Sequence, residues 1–302
     1  MRGTKWTRKT LRALVKELRG KKFKVGRETV RRLLKQLGYA LRSNRKEGGK
    51  RQDPERDRQM RYLARKRRAF LKAKMPVISV DCKKKELIGN FKNPGRTWRL
   101  EARSVLATDF PSDADGKAIP YGVYDVARNR GFVGVGVSHE TAAFAVNVIR
   151  CWWQTEGRAA YPEATEWLIQ ADSGGANGYD SWLWKWELQR LADETGLTII
   201  VTHYPTSASK WNWIEHRLFN HISANWIGEP LARYEVVLKF IRTTTTETGL
   251  CCSAYLDRKH YQTKLTLTNE QKESICVTGH RVLPKWNYTI RPRHPSTDKT
   301  DK

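Results

Sequence analysis

Three acidic residues stand in segments that otherwise have the pattern of buried structure. Asp81 interrupts the β-branched run VISVDC, Asp172 ends the apolar segment EWLIQAD before the glycine-rich turn SGGANG, and Glu215 lies beside the apolar stripe of KWNWIEHRLFN. Taken singly, each acid has an ordinary explanation as a turn residue, a partner of Lys83 or a solvated helix position. Their chemistry becomes distinctive only if the fold makes them neighbours.

Neighbouring carboxylates need cations, because like charges repel strongly at short range. Oxygen ligands favour hard divalent ions, Mg²⁺ first, which keep open positions for phosphate and water. Two such ions can activate an attacking oxygen and stabilise the leaving oxygen in phosphoryl transfer. We therefore expect Asp81, Asp172 and Glu215 to be catalytic and to hold two Mg²⁺ or Mn²⁺ ions. Asn212, one turn before Glu215, and Asp125, near the end of another predicted strand, are the candidates to support them.

The elements that must position these acids follow a simple order. Strand patterns occur in VISVDCKK, AIPYGVYDVA, GFVGVGVS, EATEWLIQAD and LTIIVTHY, and helical patterns in ETAAFAVNVIRCWWQTE, GYDSWLWKWELQRLADETG and SKWNWIEHRLFNHISANW. The order β-β-β-α-β-α-β-α predicts an α/β protein with a mixed sheet flanked by helices, as in the ribonuclease H-like fold. In that fold the first and fourth strands are neighbours and the last helix packs beside them, so the three acids are expected to converge.

The positive charge of the chain is concentrated in one segment. The formal net charge is +26, and residues 1–74 hold 28 Lys and Arg against 6 Asp and Glu, a net charge of +22. This predicts a polyanionic partner, most simply nucleic acid, with a solvated basic tail as the alternative. A run of about 18 apolar residues is missing, so no membrane partner is expected. The five scattered cysteines indicate reduced thiols and a cytoplasmic protein.

The basic segment has a pattern of its own. Apolar residues at helical spacing in 8–19 and 27–37, separated by GKKFKVG, predict an all-α helix-turn-helix that binds DNA, although any small helical bundle shares this pattern. The predicted domains are a helix-turn-helix region at 1–50, a basic linker and helix at 51–74, a ribonuclease H-like catalytic domain at 75–228 and a C-terminal extension at 229–302. The residues predicted to contact DNA are Arg27, Arg31, Arg32, Lys35, Arg45, Lys46, Lys83 and Lys210.

Several stretches resemble a known family. SVDCKKKELIGNFKNPGRTW, PYGVYDVARNRGFVGVG, IQADSGGANG, LADETGLTIIVTHYP and SKWNWIEHRLFNHISANW resemble the Rhodopirellula-type DDE transposases of bacterial insertion sequences. TVRRLLKQLGYALRSNRK and WNYTIRP extend the resemblance over nearly the whole chain. It implies a ribonuclease H-like catalytic domain whose Asp-Asp-Glu triad falls on Asp81, Asp172 and Glu215. Family members usually carry a further N-terminal helix-turn-helix region, so we expect a shortened or split reading frame.

The resemblance also implies a reaction and its partners. The expected reaction is metal-dependent cleavage of DNA at element ends, followed by strand transfer into target DNA. The expected partner is double-stranded DNA, both terminal repeats and target, bound by a homo-oligomer at the nucleoid. Two alternatives stay open: a truncated, non-catalytic repressor that occupies element ends, and a ribonuclease H-like nuclease that hydrolyses DNA without joining it.

Overall fold

The computed structural model describes residues 7, 9–42 and 54–293 of the 302-residue chain. The chain divides into two units, Met1–Arg51 and Gln52–Lys302. The helix predicted within 51–74 belongs to the second unit and not to the first.

Two short helices form the described part of the first unit, α1 (Leu11–Gly20) and α2 (Arg27–Gln36). The Thr10 side chain starts α1 by accepting a hydrogen bond from the N–H of Ala13 at 3.2 Å, which satisfies one of the free donors of the first turn. Gly26 precedes α2, and Val30 is the buried residue of that helix. The two predicted helices are therefore present at the predicted positions.

The cations of α2 lie on its surface. Arg27, Arg31, Arg32 and Lys35, all predicted to contact DNA, are exposed. Arg45 and Lys46, which carry the same prediction, lie outside the described residues.

The second unit alternates strands and helices after an initial helix. Its helices are α3 (Arg56–Lys72), α4 (Ala142–Trp152), α5 (Arg158–Ala160), α6 (Trp182–Thr195), α7 (Asn220–Asn225), α8 (Tyr234–Arg242) and α9 (Asn269–Glu273). Its strands are β1 (Val77–Cys82), β2 (Glu86–Ile88), β3 (Gly116–Asp125), β4 (Arg130–Gly136), β5 (Glu166–Ala171), β6 (Thr198–His203), β7 (Cys251–Asp257), β8 (Val277–Gly279) and β9 (Asn287–Ile290). A π-helical turn, Glu215–Phe219, leads into α7. In the described part of the chain, no helix combines the length and apolar character that crossing a bilayer requires.

The strands form one mixed sheet in the order β7-β4-β3-β1-β5-β6-β9-β8, with β2 paired to β3. β1, β3 and β4 form an antiparallel meander, and β5 and β6 continue the sheet parallel to β1. The predicted mixed sheet flanked by helices is confirmed. Its central feature is the pair β1 and β5, which are adjacent and parallel although 83 residues, from Lys83 to Thr165, separate the end of β1 from the beginning of β5.

The alternation of side chains along β1 divides the core between the two faces of the sheet. Ile78 and Val80 belong to the core beneath α4 and α6, which is rich in tryptophan. Val77 packs with Phe70 of α3 on the opposite face. Ser79, on that same face, accepts a hydrogen bond from the segment that leads to Glu215. The face that carries Asp81 is therefore the face covered by α3 and by the Glu215 segment.

The region predicted as a C-terminal extension is part of the same sheet. β7 extends one edge by pairing with β4, and β9 extends the other edge by pairing with β6. These strands are short, and β7 is only half-buried over most of its length, so their sequences lack the long apolar alternation that marks β1 or β5.

Candidate active site

Asp81 and Asp172 lie at the same end of the two central strands, where β1 and β5 both end. β1 and β5 are parallel, with Val80 opposite Ala171, so the next residue of each chain segment lies at the carboxyl end of its strand. Such ends are where binding sites form in α/β sheets. Asp81 is only 8% exposed, and its Oδ1 accepts a hydrogen bond from the N–H of Cys82 at 2.8 Å.

The turn after β5 holds the Asp172 carboxylate. Asn177 donates from Nδ2 to Oδ1 of Asp172 at 2.7 Å, and the N–H of Gly174 also bonds this carboxyl group. Gly175 has a φ of +62°, and a Cβ there would lie 2.7 Å from Oε1 of Glu140. The left-handed backbone therefore favours glycine at this position, and a Cβ would displace the end of the Glu140 side chain.

Hydrogen bonds fix the segment that carries Glu215 against β1. The Ser79 hydroxyl donates to Oδ1 of Asn212 and accepts from the N–H of Ile214 at 3.1 Å. Asn212 also donates from Nδ2 to the β1 backbone at 3.1 Å and to Oδ2 of Asp81 at 3.4 Å. Asn212 is fully buried, so these bonds form away from water. The side chain expected to support the acids thus bonds one of them directly.

The three carboxyl groups lie in one electrostatic environment, in which the charge of Glu215 acts on both aspartates. Burial, followed by the charges of Asp172 and Glu215, raises the pKa of Asp81 well above its usual range. Burial, with a contribution from Glu215, raises the pKa of Asp172 to about 6. Burial also raises the pKa of Glu215, against the opposing effect of Lys83 and His216. Negative charge at this edge is therefore poorly compensated by the protein itself.

The donor atoms fit a hard divalent cation. Asp81, Asp172 and Glu215 offer only carboxylate oxygens, and the imidazole of His203 beside them has both ring nitrogens engaged elsewhere. Within residues 7, 9–42 and 54–293, however, no group of three or more His, Cys, Asp or Glu side chains already stands in an arrangement that could hold a metal ion. The acids therefore share an electrostatic environment, but in this arrangement they do not form a complete metal-coordination site.

The two lysines near the acids differ from each other. Lys83, predicted to contact DNA, is only 7% exposed; its Nζ lies 3.1 Å from Glu86 and 4.4 Å from the ring centre of Trp226. Its charge therefore compensates buried acids and does not extend into solvent. Lys210 is exposed, beside the exposed ring of Trp211, as a DNA contact requires.

Asp125 does not lie with the three acids. It stands opposite Ile78 in the antiparallel pairing of β1 and β3, and therefore at the other end of β1 from Asp81. Its Oδ1 accepts hydrogen bonds from the hydroxyl of Tyr161 at 2.8 Å and from the N–H of Arg128 at 3.2 Å. The prediction that Asp125 supports the acid site is wrong, because antiparallel pairing carries the end of β3 away from that edge.

Glu140 is a fourth acid at the site, and the sequence prediction missed it. Its Oε2 lies 2.9 Å from Nζ of Lys85, which follows β1, and its Oε1 accepts from the N–H of Ala176 at 3.4 Å in the turn after Asp172. Its charge contributes to the raised pKa of Asp172. Glu140 thus ties together the two loops that follow the aspartate strands. The sequence shows it only as an acid directly before a helix, which is a common position for Glu.

His203, whose role the sequence leaves open, is a buried link to the backbone of Asp172. Burial lowers the pKa of its imidazole to about 4, so the ring is neutral. Nδ1 lies 2.7 Å from the carbonyl oxygen of Asp172 and donates to it, and Nε2 accepts from the hydroxyl of Tyr288 at 3.0 Å. That hydroxyl in turn accepts from Nε1 of Trp184 at 3.0 Å. Strand β9 is therefore connected through hydrogen bonds to the backbone of Asp172.

The sheet order β4-β3-β1-β5-β6, with β3 antiparallel, one acid near the end of β1 and another directly after β5, defines a ribonuclease H-like domain. The family model described as "Rhodopirellula transposase DDE domain" matches residues 1–292, and the chain belongs to that family. It is therefore a DDE transposase, an enzyme class that acts on DNA strands with divalent metal ions. No curated protein matches the chain.

Solved structures of another transposase are among those to which the chain is similar. "Crystal structure of a pre-cleavage Mos1 transpososome" is 15% identical in sequence, with a TM-score of 0.47, and covers 80% of this chain and 72% of that chain. "Mos1 transposase paired-end complex with left transposon end" has the same identity and coverages and a TM-score of 0.46.

Proposed function

We propose that this transposase cleaves DNA at the ends of its insertion sequence and joins the freed 3′ ends to target DNA. The observation that carries the proposal is the meeting of Asp81 and Asp172 at one sheet edge, with the Glu215 segment bonded to β1 beside them. Their pKa values are all raised, by burial and, for the two aspartates, also by the charges of neighbouring carboxylates. A site with uncompensated carboxylates in a DNA-acting enzyme is suited to recruiting cations together with phosphate.

In this proposal the three acids hold the metal ions, and other side chains hold the acids. Two Mg²⁺ or Mn²⁺ ions, when bound, supply positive charge to the attacking and leaving oxygens of phosphoryl transfer. Asp81 and Asp172 lie closest in the sheet and share that charge, and Glu215 completes the second position. Asn212 orients Asp81, and Asn177 orients Asp172.

The same proposal assigns DNA binding to the basic surface of the chain. Arg27, Arg31, Arg32 and Lys35 of α2 are exposed on one short helix, which fits a helix-turn-helix lying along a groove and its phosphates. The partner is duplex DNA, first the terminal repeats and then the target. We propose a homo-oligomer on that DNA, since two element ends must be processed together, and a location at the cytoplasmic nucleoid.

The proposal is tested with labelled duplexes that carry the ends of the element, in buffer from which other metals have been chelated. We expect Mg²⁺ or Mn²⁺ to support cleavage and Ca²⁺ to support binding without turnover, because Mg²⁺ enforces near-octahedral geometry at about 2.1 Å and Ca²⁺ accepts looser coordination. The Asp81→Asn variant is the control for contaminating nuclease. Robust cleavage in chelator alone, or a strict requirement for Zn²⁺, would contradict the two-ion site.

The products of this assay also separate the two alternatives. A nuclease gives nicked or broken duplex and no joined strands, whereas the transposase gives both. A non-catalytic repressor gives neither, although it binds the ends. The dispersed arrangement of the carboxylates among the described residues is the one observation that favours the repressor, and cleavage with Mg²⁺ would exclude it.

A further inference from the structure

Helix α3 carries a row of cations along its outer face. Its members are spaced by three or four residues, which places them on one side of a helix, and all of them are exposed. This α3 stripe consists of Arg58, Arg61, Arg65, Arg68 and Lys72. Its first and last members are 14 residues apart, which corresponds to about 21 Å along the helix axis.

The opposite face of α3 is fixed into the catalytic unit. Leu63 and Phe70 are buried against the sheet side of the helix. Gln59 is fully buried; its Nε2 donates to Oδ1 of Asn287 at 2.8 Å, and its Oε1 accepts from Nδ2 of the same residue at 2.7 Å. The stripe is therefore presented by a rigid helix, and a partner does not have to order it on binding.

The contacts of α3 also show its direction. Near its beginning, Gln59 donates to the carbonyl of His203 at 2.8 Å, at the end of β6 and one hydrogen bond away from Asp172. Near its end, Phe70 packs against Val77 at the beginning of β1. The helix therefore runs along the strands, from the end of the sheet that carries Asp81 and Asp172 towards the other end. The first members of the stripe lie nearest the acids.

Most of the stripe has no acidic partner. Arg58 lies 3.3 Å from Glu55, but Arg61, Arg65, Arg68 and Lys72 form no ion pair with any acid among residues 7, 9–42 and 54–293. Like charges at this spacing on a helix destabilise it slightly. A polyanion placed along the row would remove that repulsion.

We propose that the α3 stripe binds the phosphate backbone of the duplex whose strand enters the acid site. The proposal rests on the proposed function, and it adds a surface that guides the DNA. A stripe of about 21 Å follows about six base pairs at 3.4 Å each. Arginine, which provides four of the five cations, presents a planar donor set that matches phosphate oxygens. The contact is to phosphates and so is independent of base sequence.

The test replaces Arg61, Arg65 and Arg68 together by Gln in the full chain. Binding to a mixed-sequence duplex of about 30 base pairs, roughly five times the predicted footprint, is measured by fluorescence anisotropy over a series of salt concentrations. Chelator is present, so binding is read without cleavage. Each lost phosphate contact lowers the slope of log affinity against log salt by about 0.9, so the slope falls by about 2.7 for three contacts.

A matched variant controls for net charge. Arg158 and Lys239 lie on other helices of the same unit, and Arg258 directly follows β7; all three are exposed cations. Replacing these three by Gln removes the same charge, and we expect a far smaller change in slope and affinity. Thermal unfolding of both variants checks that the fold is kept, because Gln is nearly as good a helix former as Arg.

Three outcomes decide the proposal. A larger loss of affinity and slope in the stripe variant than in the control variant supports it. Equal losses in the two variants overturn it, since the stripe would then be a solvated face. Polyglutamate measured in place of DNA gives the third outcome: if the stripe variant loses binding to it as strongly as to the duplex, the surface is a general acidic-polymer site and the proposal fails. Failure of the cleavage reaction with Mg²⁺ would affect the proposed function and leave this binding comparison readable.

Discussion

Two buried aspartates near opposite ends of β1 have different surroundings. Burial is the largest cause of a raised pKa for both Asp81 and Asp125. For Asp81 the next causes, the charges of Asp172 and Glu215, raise the pKa further. For Asp125 the next causes lower it, and they come from the hydroxyl of Tyr161 and from Arg128. The charge and hydrogen-bonding character of the neighbours, and not burial itself, separate the two sites: the neighbours of Asp81 add negative charge, whereas those of Asp125 partly compensate its charge.

The surroundings of Asp125 form a mixed-charge network. Arg128 lies 3.7 Å from Asp125 and 3.9 Å from Glu156, and Arg130 lies 3.9 Å from Glu156. Cations and acids therefore alternate at this end of the sheet. At the end of the sheet that carries Asp81, carboxyl groups lie near other carboxyl groups, and the buried cation Lys83 opposes the charge of Glu215. Substitutions at the two ends should accordingly affect different properties of the protein.

The largest expected effect is loss of cleavage when an acid of the site becomes its neutral isostere. Asp81→Asn, Asp172→Asn and Glu215→Gln keep shape and remove a metal-binding charge. We expect each to slow cleavage by roughly a thousandfold or more, equivalent to about 4 kcal/mol of activation free energy. Duplex binding should stay close to that of the unchanged protein. The measurement is single-turnover strand cleavage with Mg²⁺, beside anisotropy binding. Near-full cleavage by any one variant would remove that residue from the site.

A smaller effect is expected when the support of Asp81 is removed. Asn212→Ala deletes the amide that bonds Asp81 and the β1 backbone. Loss of such a supporting bond costs about 10- to 100-fold in activity or metal affinity, so the Mg²⁺ concentration for half-maximal cleavage should rise. Asn220→Ala, an exposed position at the start of α7, is the matched control. If both variants required the same Mg²⁺ concentration, Asn212 would have no positioning role.

At the other end of the sheet the expected effect is on stability and not on chemistry. Asp125→Ala removes the oxygens that accept from the hydroxyl of Tyr161 and from the N–H of Arg128 and that lie near the Arg128 guanidinium, so these donors lose their partner. We expect the free energy of unfolding to fall by about 1–3 kcal/mol. Cleavage per folded molecule should be unchanged. Chemical denaturation and single-turnover cleavage measure the two quantities. A variant that stays stable but no longer cleaves would show that Asp125, like Asp81, is needed for cleavage, and would contradict this prediction.

The sequence predicted the parts of the site that depend on local pattern. The sequence places Asp81 within the first predicted strand and Asp172 at the end of the fourth, in agreement with the strand bounds, because period-two alternation and the glycine turn are visible within a few residues. Their adjacency followed from the element order, which predicts that the first and fourth strands are neighbours. The sheet order confirms this part of the prediction.

Long-range register accounts for what the sequence did not predict. Asp125 was assigned to the wrong end because the pairing of β3 with β1 decides which residue faces which. Lys83 is buried because Trp226, far along the chain, covers it. Glu140 reaches the Asp172 turn from a loop 36 residues away from Ala176. β7 and β9 were missed because short strands at sheet edges carry few apolar positions.

The last expected effect, similar in size, is on the pH dependence of stability in chelator, and its direction follows from the raised pKa of Asp172. The carboxyl group titrates near 6 in the folded protein and near its ordinary value of 3.8 when unfolded. Between these values the folded state binds more protons, so the free energy of unfolding decreases as pH rises. An ionised Asp172 without a cation therefore destabilises the fold above pH 6. The pKa of Asp193 is shifted in the opposite direction. Burial alone would raise this pKa, but hydrogen bonds from Arg293 and Gln189 lower it overall. Ionised Asp193 therefore stabilises the fold, and this contribution is lost as pH falls.

We therefore expect Asp172→Asn to be more stable than the unchanged protein at pH 8, by about 1–3 kcal/mol for a shift of about two pKa units. The difference should shrink as pH falls through 6 and vanish below about 4, where both side chains are neutral. Asp193→Asn should instead be less stable at pH 8, with a difference that also vanishes in acid. Urea denaturation of all three proteins at pH 8, 6 and 4 measures these differences. If Asp172→Asn were destabilising at pH 8, the Asp172 carboxylate would already be satisfied by the protein, and the acid edge would not differ from the Asp125 end in its need for a cation.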